Sequence, residues 1–360
     1  MANYSLSKLQ SFIVGFEGRR FYVGIDVHKR SYHVALRRAD ARTLSWVAPA
    51  NPMQLITSLM SLELRIGAIA YEAGPTGFSL ARKLAESGHT VIVAAPSRIP
   101  RPCTRGAKTD RLDCIRLAEY VAKGMLKPIA VPTEAEEAKR SLVRRRHQLA
   151  DSLRKVKTRI KALLLYLGVE EPAGLRMWTR GSIKALNQLD LDKAARCTLD
   201  SLLLELSCLE DNLSVLKTHL AELSKDKEHR KVIKFLETVP GVGPVVANTF
   251  FLELFSPERF VKGEEVASYL GLAPVVRQSG ESQKGGRIRP VGQKRLKSLL
   301  VEAAWIWRAK DPWANAFYGK LLSRTGLAQK AIIGLARKLA IILWRLVIEK
   351  RPYRPGAATA

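Results

Sequence analysis

Leu202, Leu206, Leu209, Leu213, Leu216, Leu220 and Leu223 alternate steps of four and three without a miss. This spacing keeps one apolar stripe along about three heptads of helix, and such a stripe has to be covered by a second helix. A partner lies upstream, where Leu142, Leu149, Leu153, Val156, Ile160, Leu163 and Leu167 fall on another seam, with Arg146 at the intervening position. Thr133 and Glu136 have capping-box spacing at its start. Glycines, a proline and Trp178 break the chain over Gly168 to Gly181. Residues 132–230 therefore read as a coiled-coil helical middle. The two seams fit an antiparallel hairpin within one chain or pairing between chains.

Ahead of this middle, after an N-terminal extension over 1–19, residues 20–128 alternate differently. Phe21 to Asp26, Tyr32 to Leu36 and Thr43 to Val47 read as three antiparallel strands, with Val27 to Ser31 as a hairpin connection. Asn51-Pro52 opens a helix running to Leu64. Ile66 to Tyr71 is a buried strand ending in Glu72, followed by a helix ending near Gly88 and a strand from His89 to Ala95. A basic loop from Pro96 holds Arg98, Arg101, Arg105 and Lys108. A last helix begins at Asp110, with Thr109 as its N-cap. Strands first, then alternating helix and strand, is an α/β pattern.

Asp110 and Asp113 stand three apart in a first helical turn and share a face. Helix-end electrostatics alone would explain them. Asp26 on the first strand and Glu72 at the end of the fourth change that reading. If those strands are neighbours, all four acids meet where open α/β sheets place their sites. Four converging carboxylates point to Mg²⁺, a hard cation that shares its oxygen ligands between protein and phosphate. His28 reads as a strand-end polar residue, since hard Mg²⁺ prefers oxygen.

The charge supplies the partner. The 360 residues hold 60 Lys and Arg against 33 Asp and Glu, a formal net charge of +27. A surplus that large repels itself and suits a polyanion, so nucleic acid is the expected partner. Arg144, Arg145 and Arg146 add a basic face to the upstream helix. A membrane fits poorly, because Arg337, Lys338 and Arg345 interrupt the most apolar C-terminal stretch and the N-terminus lacks a signal-peptide core. Cys103, Cys114, Cys197 and Cys208 form no metal-binding pair and fit a reducing cytoplasm, with Cys114 and Cys208 as core or seam residues.

Residues 231–350 read as a helical C-terminal domain, followed by a frayed tail over 351–360. Around Pro240, Gly241, Val242, Gly243 and Pro244 the pattern is helix, tight turn, helix, a hairpin able to offer backbone N–H groups to a phosphate. Trp305, Trp307 and Trp313 have the spacing of core residues. Between helices lies a polar, glycine-rich loop with Ser279 and Ser282, surrounded by Arg277, Lys284, Arg287 and Arg289. Those cations would hold a scissile phosphate. A Ser-Gly pair is otherwise ordinary turn chemistry, and a serine hydroxyl needs activation to be a nucleophile.

G-I-D-V-H-K around Asp26, Y-E-A-G-P-T-G around Glu72 and K-T-D-R-L-D around Asp110 and Asp113 resemble the three boxes of the DEDD insertion-sequence transposases. This is the insertion sequence one-hundred-ten family, related to pilin-gene invertases and including bridge-RNA-guided recombinases. G-L-A-P, four residues and Ser279-Gly280 resemble its C-terminal domain, although Arg289-Pro290-Val291 replaces the usual Ser/Thr-Lys pair. The resemblance implies a RuvC- or ribonuclease H-like N-terminal domain. Asp26, Glu72, Asp110 and Asp113 would be its metal ligands, and Ser279 its nucleophile, with Ser282 as fallback. It further implies a dimer or tetramer, donor and target DNA, and a structured non-coding guide RNA. A hydrolytic junction resolvase, an actin-like ATPase and a non-enzymatic DNA binder are the competing readings. The paired Gly-rich phosphate loops of the ATPase are not found.

Overall fold

Alternating burial along the strands builds a sheet with two different faces. The computed structural model describes residues 6–100, 109–223, 225–279, 282–288 and 292–356, with 275–279 and 282–288 described as backbone. The chain divides into two compact units, Met1–Thr133 and Glu134–Ala360.

In the first unit, β1 (Arg20–Val27), β2 (Ser31–Arg37) and β3 (Thr43–Pro49) form an antiparallel meander. β4 (Arg65–Glu72) lies parallel to β1, and β5 (Val91–Ala94) parallel to β4, giving the order β3-β2-β1-β4-β5. This mixed sheet is consistent with the ribonuclease H-like expectation. Phe21, Val23, Ile25, Ile69 and Tyr71 fill one face, beneath α2 (Pro52–Met60) and α3 (Ser79–Glu86). Asn51 caps α2, its side chain accepting from the Met53 and Gln54 N–H groups. That helix ends at Met60 rather than Leu64. Within the N-terminal stretch, α1 (Leu6–Ile13) buries Leu9 in the same core, and Arg38 lies over the rings of Phe12 and Phe16. The other face is made of small residues, Gly24, Ala35, Ala68, Ala70 and Ala94, and receives α4 (Asp110–Ala122).

The second unit begins with α5 (Glu134–Tyr166). After a short 3-10 turn and α6 (Arg180–Asn187), α7 (Lys193–Leu223) returns along it. Leu164, Ile160 and Val156 pack with Leu199, Leu203 and Leu206, while Val143 meets Leu220, so the pair is antiparallel and within one chain. The downstream seam is as expected at Leu206, Leu213 and Leu220; upstream, Val143 and Leu164 are the buried residues rather than Leu142 and Leu163. Cys114 is buried as expected, but Cys208 is exposed, outside the seam. The seam helices and the C-terminal bundle fall within one compact unit, Glu134–Ala360.

α8 (Lys227–Glu237), α9 (Pro244–Leu254) and α10 (Gly263–Tyr269) follow, then β6 (Pro274–Ser279), β7 (Ser282–Ile288), α11 (Lys294–Lys310), α12 (Pro312–Thr325) and α13 (Ala328–Glu349). Phe250, Leu300, Trp307, Leu335, Leu339 and Leu343 lie at the centre of this bundle. The C-terminal region is therefore not purely helical. Its polar loop is a two-stranded antiparallel hairpin, whose glycines hid a strand pattern from propensity. Nor is the end frayed as far as residue 356. The Tyr353 N–H donates to Thr238 Oγ1 at 2.8 Å, and its hydroxyl donates to Asp311 Oδ2 at 2.9 Å.

Candidate active site

The small-residue face lets α4 approach the sheet very closely. A Cβ at Gly24 would stand 2.1 Å from Cys114 O and 2.3 Å from Ala118 N, so only glycine fits at the centre of β1. Thr109 starts the helix by accepting the Leu112 N–H at 3.3 Å, which places Asp110 and Asp113 in the first turn. Strand alternation sets Tyr22, Gly24 and Asp26 on the α4 side. Ile25 pairs with Tyr71 across the parallel β1–β4 junction, so Asp26 and Glu72 lie one step further along neighbouring strands. The structure thus puts all four acids at the carboxyl edge of these strands or in the helix turn packed beside it.

The electrostatics tie three of them together. Asp26 is part-buried, and burial raises its pKa; the nearby His28 opposes this, while the charges of Asp110 and Asp113 raise it further. Like charges held this close favour an added cation. Cys114 beneath them is pushed up to about 11 by burial and by Asp26. Asp113 meets Arg116 at 3.4 Å. Glu72 is exposed at the end of β4.

Two histidines complete the cluster. His28 Nε2 stands 3.0 Å from Asp26 Oδ2 and 3.4 Å from Asp110 Oδ2, and His33 Nε2 lies 3.7 Å from Asp110 Oδ2. Ligand atoms of His28, His33 and Asp110 all lie within 4.8 Å of one another. His28 is therefore more than a strand-end residue, since it touches two of the acids. His33 was missed in the sequence, yet the signal was there: a hairpin centred on residues 28–31 pairs Asp26 with His33, as it does here. Crowded carboxylates with imidazole at their edge are a donor set that fits a divalent cation.

The expected nucleic-acid contacts fare differently. Arg98 is exposed after β5, whereas Arg101, Arg105 and Lys108 lie outside the described residues. Arg145 is exposed on α5. Arg144 instead holds the buried Glu253 of α9, with Nε 2.8 Å from Oε1 and Nη2 2.9 Å from Oε2. Arg140 and Arg295 approach the same carboxylate at 3.1 and 3.7 Å. Burial pushes the Glu253 pKa up, but the bonds and charges of Arg144 and Arg140 outweigh it and hold it below the usual range. Arg146 is half-buried, and burial lowers its pKa. Gly241, at φ +88°, turns against α11, where a Cβ would meet Ala303 O at 2.6 Å; Gly243 has open space around its Cα. Ser279 pairs in register with Ser282 at the closing end of the hairpin, and Arg277 with Lys284 two positions earlier. Arg287 lies on β7, while Arg289 is outside the described residues.

An α/β sheet edged with acids, in a chain this basic, is the kind of site that a nucleic-acid-processing protein uses. Residues 23–167 match a DEDD family model described as transposase, and residues 233–319 match the transposase IS116/IS110/IS902 family. The chain is 32% identical over 295 residues to y4qE of Sinorhizobium fredii, which is named as a transposase, covering 81% of this chain and 72% of the relative. It is 25% identical over 343 residues to the transposase for insertion sequence element IS1533 of Leptospira borgpetersenii, covering 93% and 98%. Similarity extends to the pilin gene-inverting protein of Moraxella bovis, at 27% over 251 residues and 68% of each chain. The chain belongs to the IS110 family of insertion-sequence transposases, enzymes that cut and recombine DNA. Its DEDD-type domain suggests use of a divalent metal. Among the described residues, no helix is long and apolar enough to cross a membrane.

Proposed function

We propose that this transposase cleaves and rejoins DNA through a covalent phosphoserine at Ser279, assisted by Mg²⁺ held by Asp26, Glu72, Asp110 and Asp113. The observation that supports it most is the gathering of Asp26, Asp110 and Asp113 at the edge of the sheet, where the charges of Asp110 and Asp113 add to the burial that disfavours ionised Asp26. A bound divalent ion would neutralise charge developing on the phosphate oxygens. The Ser279 oxygen attacks phosphorus, a phosphorus–oxygen bond of the DNA breaks, and a strand end leaves as a free hydroxyl. Attack on the phosphoserine by the hydroxyl of the exchanged strand re-forms the DNA bond and releases the serine. One diester replaces another at each step, so no ATP is consumed. Arg277, Lys284 and Arg287 on the hairpin are suited to holding the phosphate, and Arg98 and Arg145 to tracking the backbone.

The acids belong to one compact unit and Ser279 to the other. Following the family resemblance, we read the working form as a dimer or tetramer in which the acids of one protomer serve the serine of another. A structured guide RNA as the selector of donor and target DNA follows from the family resemblance and suits the net charge of +27.

The test is to trap a covalent protein–DNA adduct and locate the modified residue by mass spectrometry. Phosphoserine at residue 279 is expected, and full recombination by Ser279→Ala would overturn it. The acid cluster also fits one rival, a junction-resolving nuclease that needs only the acids and delivers water to the phosphate. In that case Ser279→Ala cleaves normally and no adduct forms.

A further inference from the structure

The carboxylate centre has a nitrogen side that a pure Mg²⁺ site does not need. His28 Nε2 faces Asp26 Oδ2 at 3.0 Å and Asp110 Oδ2 at 3.4 Å, while His33 Nε2 faces Asp110 Oδ2 at 3.7 Å. Ligand bonds of about 2.0–2.2 Å place neighbouring donors roughly 3.0–3.5 Å apart around a four- or six-coordinate ion. Two of the three separations lie in that window, and the third is just outside it. The imidazoles stand edge to face, with centroids 5.6 Å apart and planes at 81°, and the Nε2 of each still faces Asp110.

Backbone pairing holds the arrangement. The β1–β2 register puts His33 opposite Asp26, and the His28 N–H donates to Ser31 O at 3.0 Å at the start of the turn. Asp110 is brought in by the close seating of α4 against Gly24. Three elements thus deliver donors to one point.

We propose that His28 and His33 are ligands of this centre, which makes it a mixed nitrogen–oxygen site that binds a transition-metal ion of the Mn²⁺, Co²⁺ or Zn²⁺ type more tightly than the Mg²⁺ proposed for catalysis. Imidazole adds far more to the affinity for these ions than for Mg²⁺, which favours oxygen and retains water. This inference rests on the reading of Asp26 and Asp110 as metal ligands.

The experiment uses the full-length protein without DNA. Mn²⁺ binding is followed by electron paramagnetic resonance, with pulsed detection of ¹⁴N couplings, and Mg²⁺ by competition. Wild type should show histidine nitrogen coupled to bound Mn²⁺. The double variant His28→Gln/His33→Gln should lose that coupling and bind Mn²⁺ at least about tenfold more weakly, with Mg²⁺ affinity changed by less than about threefold. The coupling is read on the unaltered protein, so a misfolded variant does not spoil the test. Bound Mn²⁺ without ¹⁴N coupling, or with affinity untouched by the double variant, overturns the inference. If Asp26→Asn still weakens binding in that case, the carboxylate reading survives. Affinity for both ions unchanged in Asp26→Asn and Asp110→Asn overturns both.

Discussion

Two clusters of charge in this protein use carboxylates in opposite ways. At the edge of the first unit's sheet, Asp26, Asp110 and Asp113 crowd one another, with Arg116 touching Asp113. In the second unit, a single buried carboxylate, Glu253, meets Arg140, Arg144 and Arg295. Burial, with a smaller addition from Asp110 and Asp113, raises the Asp26 pKa, whereas at Glu253 Arg144 and Arg140 outweigh burial and lower it. A carboxylate ringed by guanidinium groups holds helices together, whereas carboxylates facing each other leave room for a positive guest.

The contrast can be broken most forcefully at Asp110. Asp110→Asn should reduce recombination by about 10³-fold or more, as losses of reacting-site groups do, with the thermal midpoint unchanged or raised. A recombination assay alongside a melting curve checks both halves. Glu253→Gln should do the reverse. Breaking a buried pair while leaving its guanidinium partners in place costs about 3–5 kcal/mol, measurable by urea denaturation. Activity should then fall only as far as folded protein is lost.

Gly24→Ala sharpens the comparison from a distance. The added methyl would push into the α4 backbone at 2.1 Å, so about 1–3 kcal/mol of stability should be lost. Divalent-ion affinity should weaken as well, because the acids move with the helix. Titration calorimetry of the variant would show whether seating and ion binding are linked.

The smallest effect is a difference in pH response. Glu253 has a depressed folded pKa, so its contribution is present above the unfolded value of about 4.3 and is lost as pH falls through the folded one. Asp26 has a raised folded pKa. Its penalty therefore appears above about 3.9 and is relieved on acidification. Hydrogen exchange followed from pH 7 toward about 3.5 should show the second unit losing protection at Glu253 while the β1 edge does not.

The acids were legible because each lies in a short motif, and strand–helix alternation alone brings such motifs to one sheet edge. The leucine seam was legible because its period is local, while the choice of partner emerged only from the packing of α5 against α7. Glu253 was not, sitting in the run F-F-L-E-L with its partner Arg140 lying 113 residues upstream. Only tertiary packing reveals that one charge in an apolar helix is answered by a guanidinium on another. That pairing also explains why Arg144, which looked like a phosphate contact, is already engaged. The serine hairpin escaped because glycines and polar residues outnumber the apolar ones that announce a strand.

The hairpin leaves and re-enters the helical body at a single spot. A Cβ on Gly292 would stand 2.6 Å from the Gly271 nitrogen, so bare backbone touches bare backbone where the arm is rooted. Like a rope run through one eyelet, the span between these glycines can be lengthened or shortened in paired residues without disturbing the bundle. Under the proposed mechanism, the reach of Ser279 toward DNA would be a dimension that can be tuned on its own.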